Sequence, residues 1–312
     1  MATEALALLV KLNIAASAAI ALVFLLRPGV RRGLGANQTY ALWLTVPLAM
    51  AGSLIPPGEA LGPIGELRIL QGRAEAWLHD ANYIPMLAAA WALGVVISVS
   101  LVAWRYRRFL AEARSGRAGP AIVGVLAPRL VTPADFQTRF TADERRLVRA
   151  HERAHMDRMD PRWNAIALAL QCLNWFNPMV HAGARAMMFD QELACDATVM
   201  TRHPAERRRY AETLLRSQYG SIVSPLGCGW TGRGPHPLVT RLTTLLQRRP
   251  GDRRRSLGDA LVGVLWAAAL AGAWAIQPPH RHAEATTIVL LDLTPEATAA
   301  APLEIRPEAD SR

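Results

Sequence analysis

The sequence predicts a mostly α-helical, polytopic membrane protein with an α+β domain inserted between its third and fourth membrane spans. Hydrophobic residues make up 51% of the 312-residue chain and charged residues only 19%, whereas soluble domains average roughly 25% charged residues. Long charge-free runs alternate with segments that are dense in arginine. Between the third and fourth of these runs, residues 109–256 have ordinary polarity and the length of one domain.

Four apolar runs are predicted to span the membrane, since a span needs about 20 apolar residues. The first three, about residues 5–26, 38–56 and 82–104, form a transmembrane region over residues 1–108. The second run is short and holds Pro47. The fourth covers residues 257–278. The first run lacks a charged leader and is followed by arginines, which favours a membrane anchor over a signal peptide.

Arginine clusters next to these runs predict the orientation of the chain. With four spans, all three clusters fall on one side of the membrane, which the positive-inside rule makes the cytoplasmic side. We therefore expect both termini outside and residues 109–256 in the cytoplasm. The clusters are Arg27, Arg31 and Arg32; Arg105, Arg107 and Arg108; and Arg248, Arg249 and Arg253 to Arg255.

Charge and cysteine content argue against a nucleic-acid-binding protein and against a disulfide-rich protein. The net charge of +10 comes almost wholly from arginine, with Lys11 as the one lysine. Because these arginines flank apolar runs and no recognition-helix motif is present, we expect a lipid bilayer as partner and no direct nucleic acid binding. Three cysteines make no disulfide framework, and Cys172 and Cys195 are predicted to be small buried residues.

The polar domain begins with two predicted strands and a helix. Two apolar runs have the composition of short strands: A-I-V-G-V-L at residues 121–126 and R-L-V-T at residues 129–132. Either could be an edge strand that binds an extended peptide, or both could form an internal hairpin. Thr141 followed by Glu144 is a capping box, which predicts a helix start near Ala142; the helix is predicted to end by Pro161.

This helix carries His-Glu-x-x-His at residues 151–155. Two imidazoles at i and i+4 lie on one face and can reach one tetrahedral Zn²⁺. Glu152 lies about 100° around the helix from His151, where it could take a proton from a zinc-activated water as general base. The alternative is an ordinary solvated helix rich in Glu and Arg that spells the motif by chance.

A third ligand must come from further along the chain. The candidates are His181, Glu192, Asp196 and His203. Glu192 and Asp196 lie one turn apart in a helical stretch, so one carboxylate could bind zinc while the other orients a ligand histidine through its free N–H. His181 follows a break at Asn177-Pro178, and it fits a contact to a substrate carbonyl better than a metal ligand.

Several ordered motifs together resemble the membrane metallopeptidase family of the β-lactam sensor-transducers, the BlaR/MecR type. They are P-A-I-V-G-V-L-A-P-R-L-V-T-P (120–133), H-E-R-A-H (151–155), R-M-D (158–160), N-W-F-N-P-M-V (174–180) and E-L-A-C-D (192–196). The resemblance implies a gluzincin-like zinc protease domain with ligands His151, His155 and Glu192. It also implies that Glu152 is the catalytic base, and Asp196 matches the family's acid after the ligand glutamate.

One departure from the family concerns its outer penicillin-binding domain, which acylates a serine in Ser-x-x-Lys. No Ser-x-x-Lys occurs in this sequence. We therefore expect that the chain lacks this domain and does not sense β-lactams by that chemistry. Residues 279–312 are expected to be a short, mostly disordered extracytoplasmic tail.

These observations predict a zinc endopeptidase of the bacterial cytoplasmic membrane. The resemblance suggests a cytoplasmic substrate, such as a repressor of the BlaI/MecI type, together with self-cleavage. The alternative is a non-catalytic signalling or anchoring protein with a structural metal or none. Weak candidates for a substrate or oxyanion contact are His181, Arg185, Tyr210 and Tyr219.

Overall fold

The computed structural model describes residues 2–56, 83–217, 237–246 and 251–277, which all lie within one unit, residues 1–279. Tyr219, Cys228, the loop between spans two and three and the expected tail at 279–312 lie outside the described residues. The described elements are helices α1 (Ala2–Gly33), α2 (Ala36–Ala41), α3 (Thr45–Leu54) and α4 (Ile84–Arg114), strands β1 (Ala121–Val123) and β2 (Arg129–Val131), and helices α5 (Phe136–Arg139), α6 (Ala142–Asp157), α7 (Asp160–Leu173), α8 (Pro178–Arg202), α9 (Arg207–Ser217), α10 (Pro237–Leu246) and α11 (Asp252–Ala275).

Three helices in the described part of the chain are long and apolar enough to cross a membrane: Thr3–Gly33, Ile84–Arg114 and Asp252–Ala275. They coincide with the first, third and fourth predicted spans. In the segment predicted as the second span, a 3₁₀ turn at Leu42–Leu44 separates α2 from α3, and the junction residues Ala41, Leu42, Leu44 and Thr45 keep right-handed helical dihedrals. Pro47 accounts for this turn, since its ring clashes with the carbonyl four residues earlier, at Trp43, and its nitrogen cannot donate.

The segment with α2 and α3 packs within the apolar helices. α3 contacts both α1 and α11. At Gly52 a Cβ would lie 2.2 Å from the carbonyl oxygen of Leu270, so only glycine permits this approach of α3 to α11. Ile20 and Val23 of α1, Leu42 and Trp43 of the 3₁₀ turn, and Val262 of α11 belong to one buried cluster.

The predicted strands form a short antiparallel hairpin in which Ala121 pairs with Val131 and Val123 with Arg129. Gly124 follows β1 with φ 97°, a conformation that favours glycine at the turn. Both strands are shorter than the apolar runs that predicted them.

α6 begins as the capping box predicts: Thr141 accepts from the backbone of Glu144, whose carboxylate accepts in turn from the Thr141 backbone. The helix ends at Asp157, four residues before Pro161. Met159 adopts a left-handed conformation with φ 58°, and α7 begins directly after it with Pro161 in its first turn. This tight connection brings the Asp160 side chain back against His155 of α6.

α7 and α8 form a helical hairpin whose tip is the segment Asn174–Asn177. Asn177 caps α8 by accepting from the backbone of Met179, so the break at Asn177-Pro178 begins the helix that carries Glu192, as the sequence predicts. Cys172 and Cys195, on the two arms, are both buried and unpaired.

Candidate metal centre

The two histidines of α6 point into one buried site. His151 and His155 are each 8% exposed. Their Nε2 atoms lie 3.0 Å apart, with the ring planes at 84° to each other. The buried residues Leu147 and Ala154 anchor the same helix in the core, so the i, i+4 spacing presents both imidazoles to the inside of the domain rather than to solvent.

Glu192 reaches the same point from α8. Its Oε1 lies 3.2 Å from His155 Nε2, and its Oε2 lies 3.5 Å from His151 Nε2. Two ligand atoms that are each about 2.0–2.1 Å from a tetrahedral zinc ion lie about 3.3–3.4 Å from each other. The spacing among these three side chains therefore fits one zinc ion.

The outer nitrogen of His155 is held by Asp160. His155 Nδ1 lies 2.8 Å from Asp160 Oδ2, and because a carboxylate only accepts, the imidazole must donate from Nδ1. This fixes the tautomer that leaves the Nε2 lone pair free for a metal. Tyr40 in turn donates to Asp160 Oδ1 at 3.0 Å, which fixes the carboxylate.

The outer nitrogen of His151 meets Tyr210 from α9. His151 Nδ1 lies 2.8 Å from the Tyr210 hydroxyl, which itself donates to Asp196 Oδ1 at 2.7 Å. The hydroxyl oxygen must then accept from His151 Nδ1–H, so this imidazole also has its Nε2 lone pair free. Asp196 lies further from His151 Nδ1, at 3.4 Å, and acts on that ring chiefly through Tyr210.

Arg241 of α10 connects the two acids of α8. It donates to both oxygens of Asp196 at 2.8 and 2.7 Å, and its Nη1 lies 2.7 Å from Glu192 Oε2. Burial alone would raise the pKa of Glu192, but Arg241 and the two histidines hold it well below its usual range. Glu192 is therefore kept as a carboxylate, the form that binds a metal.

Cys195 lies behind His155 and forms a second group of metal-ligand types with His155 and Asp160. Its Sγ lies 3.2 Å from His155 Nδ1 and 3.4 Å from Asp160 Oδ2. Burial raises the pKa of the thiol to about 11, so it is neutral near pH 7. Since His155 Nδ1 already donates to Asp160, this group supports the first site rather than forming another.

Glu152 follows His151 directly and is only half-buried. Within the described ranges, its carboxylate makes no hydrogen bond or ion pair. The neighbouring acids differ, because Asp160, Glu192 and Asp196 are each engaged by the protein. Glu152 is thus an acid at the edge of the site whose oxygens are free to accept a proton.

Of the weaker sequence candidates, Tyr210 lies in this centre, buried against His151 rather than open to a substrate, whereas His181, His203 and Arg185 lie away from it. His181 and His203 are each eleven residues from Glu192 along α8 or at its end, about 16 Å of helix rise. Both ring nitrogens of His181 are engaged, with Gln171 Oε1 at 3.2 Å and the Trp175 carbonyl at 3.0 Å. Arg185 is exposed and about 10 Å along the axis from Glu192.

Sequence reasoning missed the contributions of Asp160, Arg241 and Tyr40. Asp160 had a visible signal, since it follows His155 closely in R-M-D and begins a helix. Arg241 is the one charge in P-L-V-T-R-L-T-T-L-L, an apolar pattern in which a lone arginine indicates a buried partner. Tyr40 gave none, because it lies 120 residues before Asp160.

The chain is similar to several known proteins. A family model described as BlaR1 peptidase M56 matches residues 7–61 and 73–245. A regulatory protein BlaR1 of Bacillus licheniformis is 32% identical over 98 residues, which cover 31% of this chain and 16% of that protein. Methicillin resistance mecR1 proteins of Staphylococcus aureus and Staphylococcus epidermidis are 27% identical over 100 residues, which cover 31% of this chain and 17% of each. No solved structure matches this chain.

Proposed function

Because the chain belongs to the BlaR1 peptidase M56 family of membrane metallopeptidases, we propose that it is an integral-membrane zinc endopeptidase that hydrolyses peptide bonds in a cytoplasmic protein. One observation carries the proposal. Three side chains with ligand atoms 3.0–3.5 Å apart converge on one point, while Glu152 stands beside them with a free carboxylate. A structural zinc site is usually closed by four protein ligands, whereas a catalytic site keeps one position open.

In this proposal His151, His155 and Glu192 hold the zinc ion. When bound, zinc supplies Lewis acidity, which polarises a peptide carbonyl and lowers the pKa of water. Glu152 then accepts the proton of the attacking water and delivers it to the leaving amine as general acid. Asp160 and Tyr210 keep the two imidazoles oriented through Nδ1, and Arg241 keeps Glu192 deprotonated and in place.

The membrane arrangement is part of the same proposal. α1, α4 and α11 cross the bilayer as the first, third and fourth spans, and the segment with α2 and α3 is the second. The three arginine clusters then lie on the cytoplasmic side, both termini lie outside, and residues 109–256 form the protease domain. The packing of α3 against α1 and α11 supports its place in the bundle.

A cytoplasmic repressor of the BlaI/MecI type is the substrate we propose. The relatives that match this chain carry the names regulatory protein and methicillin resistance protein, which supports a role in signal transduction. An extended segment of the substrate would pair with a free edge of the β1–β2 hairpin by main-chain hydrogen bonds. That hairpin contacts α6, the helix that carries both histidines.

The test compares new protein N-termini in cells that overproduce the wild-type chain or its Glu152→Gln variant. Glutamine keeps the shape of the side chain but cannot act as a general base, so we expect termini that appear with the wild type and are lost in the variant. Loss of a general base lowers the rate by about 10²–10⁴-fold.

The matched control is Glu206→Gln. This glutamate lies in the 3₁₀ turn Pro204–Glu206 between α8 and α9 and pairs with Arg146, so its replacement is expected to leave cleavage unchanged. Zinc content of the purified wild type and Glu152→Gln proteins should be equal. Cleavage that persists undiminished in Glu152→Gln would refute the mechanism. If both cell types show the same set of termini and the purified wild-type protein contains no zinc, the non-catalytic alternative is favoured.

A further inference from the structure

The α7–α8 hairpin presents a mainly apolar surface towards its tip. Arg162 and Arg185 are exposed, and between them every exposed residue is apolar. We call these six residues the hairpin face: Ile166, Ala169, Leu173, Trp175, Phe176 and Pro178. Exposed apolar residues on both arms of a hairpin, with no fully exposed polar residue among them, are unusual on a part of a domain that lies in water.

One arm of the hairpin runs alongside the first apolar helix in a constant register. Near the tip, Asn177 donates to Asn13 Oδ1 at 2.7 Å. Further along α8 from the tip, a Cβ on Gly183 would lie 3.1 Å from the Ile20 side chain. Further still, next to the first arginine cluster, Arg27 donates to Asp190 Oδ2 at 2.5 Å. These pairs are separated by 163 or 164 residues, so α8 and α1 run parallel for 14 residues, about 21 Å.

The tip also contacts the middle of α4. Trp91 donates from Nε1 to the Leu173 carbonyl at 2.8 Å, and Trp175 donates to the Trp91 carbonyl at 3.3 Å. Trp91 lies 14 residues before Arg105, the first arginine at the cytoplasmic end of α4. This again gives a depth of about 21 Å, so two separate helices place the tip at the same level.

The polar groups near the tip of the hairpin, between Gln171 and His181, are bonded to other protein groups. Gln171 pairs with His181, whose second nitrogen meets the Trp175 carbonyl. Asn174 donates to the Leu170 carbonyl and bonds to Asn13. Asn177 bonds to Asn13 and Ser17 as well as capping α8. Internal satisfaction of this kind is what a hydrocarbon environment requires.

From these observations we infer that the α7–α8 hairpin is a re-entrant element whose hairpin face contacts lipid acyl chains. It enters from the cytoplasmic side, turns at Asn174–Asn177 and returns without crossing. With a hydrocarbon core about 30 Å thick, the tip reaches about two thirds of the way across. The inference rests on the membrane orientation proposed above, and it places the metal centre at the cytoplasmic surface of the bilayer.

Arg185 fits this placement. It lies five residues before Asp190, so its Cα is about 7–8 Å below the level of Arg27. A long arginine side chain can keep its charged end at the interface while its methylene groups lie among acyl chains. The hairpin therefore carries no charged residue that has to remain in the hydrocarbon.

The experiment attaches an environment-sensitive fluorophore to single cysteines in the full chain, reconstituted in phosphatidylcholine vesicles. The parent for labelling has its native cysteines replaced by alanine. Phe176→Cys tests the tip and Leu173→Cys provides a second site in case the first variant misfolds. Val96→Cys is the control inside the membrane, because Val96 lies in α4 and its side chain is 61% exposed on the surface proposed to face lipid. Leu126→Cys, 86% exposed beside the β-hairpin, is the control in water.

Lipids brominated along their acyl chains should quench the fluorophore at positions 176 and 173 to the same extent as at 96, and leave position 126 unquenched. Equal emission in brominated and ordinary lipid at 176 and 173, with quenching at 96, would overturn the re-entrant hairpin alone. Absence of quenching at 96 as well would overturn the placement of α4 in the membrane, and the re-entrant hairpin with it. Neither result depends on peptidase activity.

Discussion

Replacing Asp160 with asparagine should weaken zinc binding, and the structure allows the size of the loss to be worked out. Asparagine keeps the volume of the side chain and one oxygen that can accept from His155 Nδ1, while its amide nitrogen takes the place of the Oδ1 that accepts from Tyr40. What it removes is the negative charge of a carboxylate that is 1% exposed and 2.8 Å from the imidazole. The free energy lost is therefore mainly the difference between a charge-assisted and a neutral hydrogen bond.

A buried hydrogen bond to a charged group contributes about 1.5–3 kcal/mol and a neutral one about 0.5–1.5 kcal/mol. The difference of about 1–2 kcal/mol corresponds to roughly a 5- to 30-fold change in an equilibrium constant. Loss of the residue that orients a metal-bound histidine typically lowers metal affinity by about 10- to 100-fold. We therefore expect the zinc affinity of Asp160→Asn to fall by about 10-fold or slightly more.

The assay is a zinc titration of the detergent-solubilised protein in competition with a chromogenic chelator of known affinity. The matched control is Asp157→Asn on the neighbouring turn. Asp157 is 41% exposed and pairs with Arg202 at 3.1 Å; no contact joins it to either histidine, so its affinity should equal that of the wild type. If Asp160→Asn binds zinc as tightly as Asp157→Asn, the argument from the His155 tautomer is wrong.

Three further predictions concern the packing around the site and the hairpin. Arg241→Met should lower the free energy of unfolding by about 3–5 kcal/mol, because it leaves two buried carboxylates without their partner; denaturant unfolding in detergent measures this. Cys195 should resist alkylation by iodoacetamide at pH 8 in the folded protein, because its raised pKa of about 11 leaves almost no thiolate; peptide mass spectrometry before and after unfolding measures its modification. Gly94→Val should lower the thermal unfolding midpoint by the equivalent of about 1–3 kcal/mol, because a Cβ there would lie 2.2 Å from the Trp175 ring.

Controls for these predictions come from the same chain. Arg208→Met removes an arginine that is 94% exposed in its pair with Glu212, and such surface pairs contribute about 0–1 kcal/mol. Gly263→Val adds the same side chain to an apolar helix at a position with no neighbour within 4 Å. Equal losses in Arg241→Met and Arg208→Met, or in the two glycine variants, would contradict the contacts described. Alkylation of Cys195 in the folded protein as fast as after unfolding would contradict its burial.

Local signals explain the parts of the fold that the sequence predicted. The start of α6 follows from a capping box of two residues, and the placement of His151 and His155 on one face follows from helix geometry alone. The three long apolar helices follow from composition. The second span differs because Pro47 removes a hydrogen bond within its own segment, and hydropathy does not register the resulting 3₁₀ turn.

Other features depend on contacts between distant parts of the chain. Arg241 reaches Asp196 across 45 residues, and Tyr40 reaches Asp160 across 120. No local pattern specifies such partners. The depth of α7 and α8 is a similar case, because a helix in a protein core and one facing lipid have the same apolar composition. Only their register against α1 and α4 distinguishes the two environments.

The charges around the metal centre explain why it should bind a divalent cation. Two guanidinium groups stand against four carboxylates, and with neutral histidines two negative charges remain. The groups are Arg158 and Arg241, and Glu152, Asp160, Glu192 and Asp196. Glu152 is half-exposed and partly screened by water, but the other three carboxylates are largely buried, where charge without compensation costs several kcal/mol per ion. The site therefore attracts positive charge.

Protons are one source of that charge. Burial lowers the pKa of His155, but Cys195, Asp160 and Glu192 raise it well above its ordinary value, so this imidazole tends to take up a proton. A protonated His155 supplies only one positive charge and blocks its Nε2 lone pair. A zinc ion supplies both missing charges and uses the lone pairs that Asp160 and Tyr210 have left free. The hydrogen bonds and the charge balance of the site are therefore both consistent with the zinc ion proposed above.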